Sequence, residues 1–200
     1  MSEYVKFSCE RVAAGISSFG GLAELNVFRR KLLDLRLIGA YPNGIGFGNL
    51  SVRDGANKNF YVTGSATGGM HELTLADCAK VVAYDFERNR VRYEGTAIPS
   101  SESLTHAAIY ESDATAGAVI HCHCSGFWSA LLNQAPTTSE APEYGTPEIA
   151  YEIMKLLTHT DARTRKIIVM AGHEGGIVTF GKDLAEGFAV LMREREKICR

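Results

Sequence analysis

The segment Ala118-Val119-Ile120-His121-Cys122-His123-Cys124 places two imidazoles two positions apart in an apolar run of strand character. Side chains alternate along a strand, so His121 and His123 point to one face and Cys122 and Cys124 to the other. Two imidazoles a strand step apart can share one divalent ion, and tetrahedral zinc is the common outcome. The same spacing also suits two hydrogen-bonded histidines at a strand end with no metal. His173 ends another apolar run, 167–170, and sits in Ala171-Gly172-His173-Glu174-Gly175-Gly176. Glycines on both sides allow close backbone approach. A third neutral imidazole would leave a fourth zinc position open, as a catalytic site requires. Alone, His173 also reads as an ordinary turn histidine.

Glu102, His106 and Tyr110 recur every four residues and share one face if their segment is helical. A carboxylate at the start of a helix feels the positive end of its dipole. Near a metal it could act as a general base or a displaceable ligand. The alternative is a cap with His106 packed beneath it. Two glycine-rich stretches are weaker signals. Gly64-Ser65-Ala66-Thr67-Gly68-Gly69 lacks the lysine of a P-loop, yet such loops can cradle phosphate with backbone amides and hydroxyls. It also reads as a plain turn. Gly44-Ile45-Gly46-Phe47-Gly48-Asn49 resembles a dinucleotide fingerprint only superficially, because Asn49 holds the last position and no clear strand precedes it.

The elements that must position these residues follow from hydrophobic period. Leu22, Leu25, Phe28, Leu32 and Leu35 predict an amphipathic helix, and residues 3–14 a second one before it. Short strands are expected at 50–53 and 60–63, and a hairpin at 81–86 and 91–93. Ser100-Ser101-Glu102 can cap and open a helix running to about residue 112. Residues 118–123 form a strand, 125–132 a helix, and Pro147 opens a helix ending near 158. Strands follow at 166–170 and 177–180, then a helix over 182–197. This order suggests a central sheet covered by helices, and the hairpins argue against an all-parallel sheet.

The 200 residues are 46% hydrophobic, enough for one sizeable core, and residues 1–200 read as a single domain. With 22% charged residues and a net charge of -2, the chain has no bulk electrostatic reason to bind nucleic acid or an anionic membrane. No apolar run is long enough for a membrane span, and the N-terminus lacks the unbroken apolar stretch of a secretory signal. The five cysteines are odd in number and form no C-x-x-C pair, so they read as reduced thiols of a cytoplasmic protein.

These pieces occur in one order that resembles the class II aldolase/adducin family over roughly residues 20–197. Gly48-Asn49-Leu50-Ser51-Val52-Arg53 is similar to its Gly-Asn-hydrophobic-Ser-x-Arg segment. Residues 62–68 resemble its phosphate loop, and Pro99-Ser100-Ser101-Glu102 its Ser-Ser-Glu helix start. The resemblance implies an α/β fold, a three-layer α/β/α sandwich around a largely antiparallel sheet. It implies that His121, His123 and His173 bind Zn2+ or another divalent metal, and that Glu102 is the acid/base. Gly48, Asn49, Thr67, Gly68, Ser100 and Ser101 would line a phosphate pocket. The implied activity is lyase cleavage of a small phosphorylated ketose, through an enediolate, to dihydroxyacetone phosphate and an aldehyde. Related members dehydrate, epimerise or decarboxylate, and adducin heads are non-catalytic. Members are often homotetramers. This chain departs from the pattern where Gly64 replaces proline in a longer loop, so that Ser65 competes with Thr67 for its role. Glu174 follows His173 where glycine is usual. Residues 133–146 hold no match for the proton-donating tyrosine of fuculose-phosphate aldolases, a place that Tyr144 could take.

Overall fold

The computed structural model describes residues 6–198. In chain order the elements are β1 (Ser8–Ala13), α1 (Leu22–Asp34), β2 (Gly39–Ala40), β3 (Gly46–Phe47), β4 (Asn49–Arg53) and β5 (Phe60–Thr63). A 3-10 turn, Leu75–Asp77, leads into β6 (Cys78–Asp85), β7 (Arg90–Glu94), α2 (Ser103–Ser112), β8 (Ala118–His123) and α3 (Ser125–Leu131). Then come α4 (Pro147–His159), α5 (Ala162–Arg165), β9 (Ile167–Val169), β10 (Gly176–Gly181) and α6 (Leu184–Ile198). Eight strands form one sheet in the order β1-β7-β6-β5-β4-β8-β10-β9. All neighbours run antiparallel except β1 and β7, which are parallel. The expected α/β fold with a largely antiparallel sheet is therefore the one observed.

Strand alternation sorts the core into two layers. Phe60, Val62, Val119, Ile168 and Val178 face α2 and α4, packing on Leu104, Ile109, Ile149 and Ile153. Tyr61, Ile120, Cys122, Val169 and Ile177 face α1, α3 and α6, packing on Leu25, Leu32, Phe127 and Leu191. Burial on both faces explains why β8 reads as a continuous apolar run rather than a polar–apolar alternation. His121 and His123 share the face of Val119. Cys122 lies in the opposite layer, as alternation requires. Among the described residues no helix is long and apolar enough to cross a membrane.

The expected helix over residues 3–14 is not present where the chain is described; residues 3–5 lie outside those residues. Ser8–Ala13 is instead β1, with Cys9 opposite Val91 and Arg11 opposite Tyr93. A sheet edge was available, and pairing with it outweighs a weak local helical pattern. Phe7 anchors the strand in the core at 2% exposure. Residues 39–47, where hydrophobic period predicts no element, form the β2–β3 ribbon. Its turn carries Pro42-Asn43-Gly44, with Gly44 at φ 82.

One buried network ties α2 to the sheet. The Ser51 hydroxyl lies 2.6 Å from His106 Nδ1 and 2.7 Å from the Tyr110 hydroxyl. Burial lowers the His106 pKa from its ordinary 6.5 to about 3. The unfolded chain therefore takes up a proton below about pH 6.5 that the folded chain refuses until about pH 3. Stability of the metal-free protein is expected to fall through this window as pH drops, with His106 contributing a slope of about 1.4 kcal/mol per pH unit. Denaturant melts at stepped pH check this, and His106→Asn, which keeps a polar group for Ser51, should flatten the decline.

Candidate active site

Three segments far apart in sequence supply the site. β8 presents His121 and His123 from adjacent positions on one face. β10 pairs antiparallel with β8, with Gly176 opposite His123. The turn just before β10 therefore delivers His173 beside them. That turn closes through Gly176 N–H to His173 O at 2.8 Å, and Gly175 adopts φ 80. A Cβ at Gly176 would stand 2.6 Å from the His173 ring, so a larger residue there would displace the imidazole. One nitrogen from each of the three rings lies within 4.8 Å of the other two. His121 Nε2 and His123 Nε2 are 2.9 Å apart.

Burial keeps all three rings neutral. It pulls His123 down to about 4 and His173 to about 3, in the latter with help from His123. Burial also drives His121 well below the usual histidine range, and the neighbouring imidazoles add to it. Neutral imidazole is the form that donates a lone pair to a metal.

Glu102 completes the cluster. It occupies the N-cap position of α2, yet its carboxylate makes no capping bond. The simple capping role is thereby excluded. Thr105 Oγ1 donates to Glu102 Oε2 at 2.7 Å, while Oε1 is buried with no partner among the described residues. His173 Nε2 lies 3.8 Å from Oε1, too far for a hydrogen bond, and with His173 neutral the pair is not a salt bridge. Burial pushes the Glu102 pKa up to about 7 against the opposing effects of Thr105 and Lys6. A buried carboxylate oxygen without a donor, beside three neutral imidazoles, suits a divalent cation in both charge and ligand chemistry. The residues present fit such an ion.

The cluster opens into a cavity of about 140 Å3, lined by Gly48, Asn49, Gly68, Ser100 and Ser101 together with Glu102, His121, His123 and His173. One water needs only about 10–15 Å3, so the space is that of a ligand. Thr67 is the exception among the expected lining residues. Its hydroxyl donates to Gly64 O at 2.7 Å within its own loop, and Ser65 lines the cavity in its place. Tyr144 also lines it, with its ring 4.5 Å from that of His173 and Lys6 Nζ 4.1 Å above the tyrosine ring. Tyr41 and Phe47, which sequence reading missed, pack against His123 from the β2–β3 ribbon. The Tyr41 hydroxyl lies 3.4 Å from His123 Nδ1, and the Phe47 ring is 5.8 Å away. The asparagine–glycine turn between two short apolar runs was the available signal for that ribbon.

The family model described as "Class II Aldolase and Adducin N-terminal domain" matches residues 43–200. A curated relative, the L-fuculose phosphate aldolase of Methanococcus maripaludis, is 29% identical over 150 residues, covering 70% of this chain and 76% of the relative. Among solved structures, an L-fuculose 1-phosphate aldolase superposes with a TM-score of 0.68 at 23% identity, covering 90% of this chain and 84% of that one. A sugar-phosphate aldolase from Thermotoga maritima superposes with a TM-score of 0.63 at 17% identity, covering 87% of this chain and 90% of that one. This chain belongs to the class II aldolase/adducin family and is an aldolase-type enzyme.

Proposed function

We propose that this enzyme is a zinc-dependent lyase that cleaves a small phosphorylated ketose to dihydroxyacetone phosphate and an aldehyde. The observation that carries the reading is the convergence of His121, His123, His173 and the unpartnered Glu102 oxygen at one end of a single cavity. The likeness to a relative named L-fuculose phosphate aldolase supports the substrate class.

In this reading His121, His123 and His173 hold the ion. When bound there, zinc supplies Lewis-acid polarisation of a substrate carbonyl. Glu102 moves the proton beside that carbonyl, and its Oε1 is free to do so because Thr105 occupies only Oε2. Gly48, Asn49, Gly68, Ser65, Ser100 and Ser101 receive the phosphate. Tyr144, on the His173 side of the cavity, relays to solvent the proton that the substrate hydroxyl gives up as the C–C bond breaks and that hydroxyl becomes the aldehyde carbonyl, and Glu102 returns a proton to the enediolate carbon. The apolar walls from Phe47 and Ile45 limit water around the reacting atoms. The same reading makes the enzyme a cytoplasmic homotetramer that acts on a small molecule, with no nucleic-acid or membrane partner.

The test is product analysis by NMR on ketose 1-phosphates, pentulose 5-phosphates and sugar-acid phosphates, using the metal-loaded enzyme. Dihydroxyacetone phosphate from a ketose 1-phosphate is expected. A product that keeps all its carbons would replace cleavage by epimerisation or dehydration. Carbon dioxide release would replace it by decarboxylation. No turnover on any of them, with no metal bound, would favour a non-catalytic adducin-like module.

A further inference from the structure

Arg29 lies on α1, behind the cavity wall, and no step above uses it. Its side chain is fully buried, at 0% exposure. Nη2 donates to the carbonyls of Met70 at 2.7 Å and Thr67 at 2.9 Å, with Gly68 O at 3.5 Å. Nε and Nη1 are buried without a partner among the described residues. Burial lowers the guanidinium pKa to about 10, which leaves it charged at neutral pH. Its hydrogen bonds among the described residues all go to carbonyl oxygens. The carboxylate of Asp77 acts on it from a distance but is held by the Thr74 amide and hydroxyl. Asn26, one turn earlier on α1, takes both backbone groups of Leu73, donating to its carbonyl at 2.8 Å and accepting from its amide at 3.0 Å. The inward face of α1 thus grips the loop at both Thr67 and Leu73.

The orientation of the loop follows from peptide geometry. In a trans peptide the carbonyl and the next N–H point in opposite directions. With the Thr67 and Gly68 carbonyls turned toward Arg29, the Gly68 and Gly69 amides are turned away from it. Neither amide has a partner among the described residues. Gly68 lines the cavity beside Ser65. A buried cation whose nearest carboxylate acts only from a distance is costly, and an anion across a thin loop offsets part of that cost.

We propose that Arg29 is the positioning residue of the anion subsite. It holds the loop carbonyls on the far side so that the Gly68 amide, at the cavity, serves a substrate phosphate, and its charge, with only a distant carboxylate to offset it, draws that phosphate to the loop. The inference rests on the phosphate reading of the cavity made above.

Calorimetric titration of the metal-loaded enzyme with inorganic phosphate tests it. Arg29→Met, which removes the charge and the donors at similar length, is expected to weaken phosphate binding about ten-fold or more. Arg29→Lys, which keeps the charge, should recover most of the affinity. Both variants should retain one equivalent of metal. Unchanged phosphate affinity in folded, metal-loaded Arg29→Met would overturn the inference, as would an Arg29→Lys variant no better than Arg29→Met. If Arg29→Met does not fold, amide hydrogen exchange on the wild type decides: phosphate should slow exchange at Gly68, and phosphate bound without that protection contradicts the proposal. A wild-type enzyme that takes up no phosphate would instead remove the phosphate reading itself.

Discussion

Glu102→Gln is expected to keep its metal and lose turnover by about 10²- to 10⁴-fold, the range for removing a general acid/base. The substitution is close to isosteric. The glutamine oxygen can still accept the Thr105 hydroxyl, so the start of α2 keeps its packing. What disappears is the titratable oxygen. In the wild type that oxygen is buried, unpartnered and 3.8 Å from His173 Nε2. Burial places its pKa near 7 in the absence of a cation, and a cation on the histidines favours the ionised form. An amide there cannot accept and return a proton. Steady-state kinetics beside metal analysis check this. Normal turnover in Glu102→Gln would show that the proton moves by another group, and Tyr144 would be the next to test.

His123→Ala is expected to lose both metal and activity. Losing an outer partner of a metal ligand typically costs 10- to 100-fold in affinity, so removing one ligand of three should cost more than about 100-fold. His123 is the ring with contacts on every side: His121 Nε2 at 2.9 Å, the His173 ring at 4.5 Å, and Tyr41 and Phe47 from the ribbon. Its loss opens the site as well as removing a donor. Metal content after purification without chelator, with activity measured before and after added zinc, separates the two effects. Full metal occupancy in His123→Ala would mean that the ligand set is misassigned.

Features encoded locally were legible in the sequence. The shared face of His121 and His123 follows from strand alternation alone, and β5 and β8 begin and end where their apolar runs do. The α1 helix is legible from its period, because Leu25, Phe28 and Leu32 face the core. Features set by distant partners were not. β1 exists because β7 offers an edge far along the chain, with Ser8 opposite Arg90, and nothing within residues 8–13 signals that. Glu102 looks like a helix cap in sequence; only burial under the sheet face leaves its oxygen unpartnered. The choice between Ser65 and Thr67 depends on a loop shape that Arg29 and the β2–β3 ribbon impose from outside. The convergence of His173 with the other two rings depends on the β8–β10 register, which pattern reading alone does not supply.

The central claim is that three imidazoles hold one divalent ion. Anomalous diffraction at the zinc edge, on crystals of protein purified without chelator, tests it most directly. The expected map has one peak per chain about 2.0–2.1 Å from a nitrogen of each of His121, His123 and His173. A map with no peak among the three rings, or with the metal held by cysteine sulfur elsewhere, would contradict it.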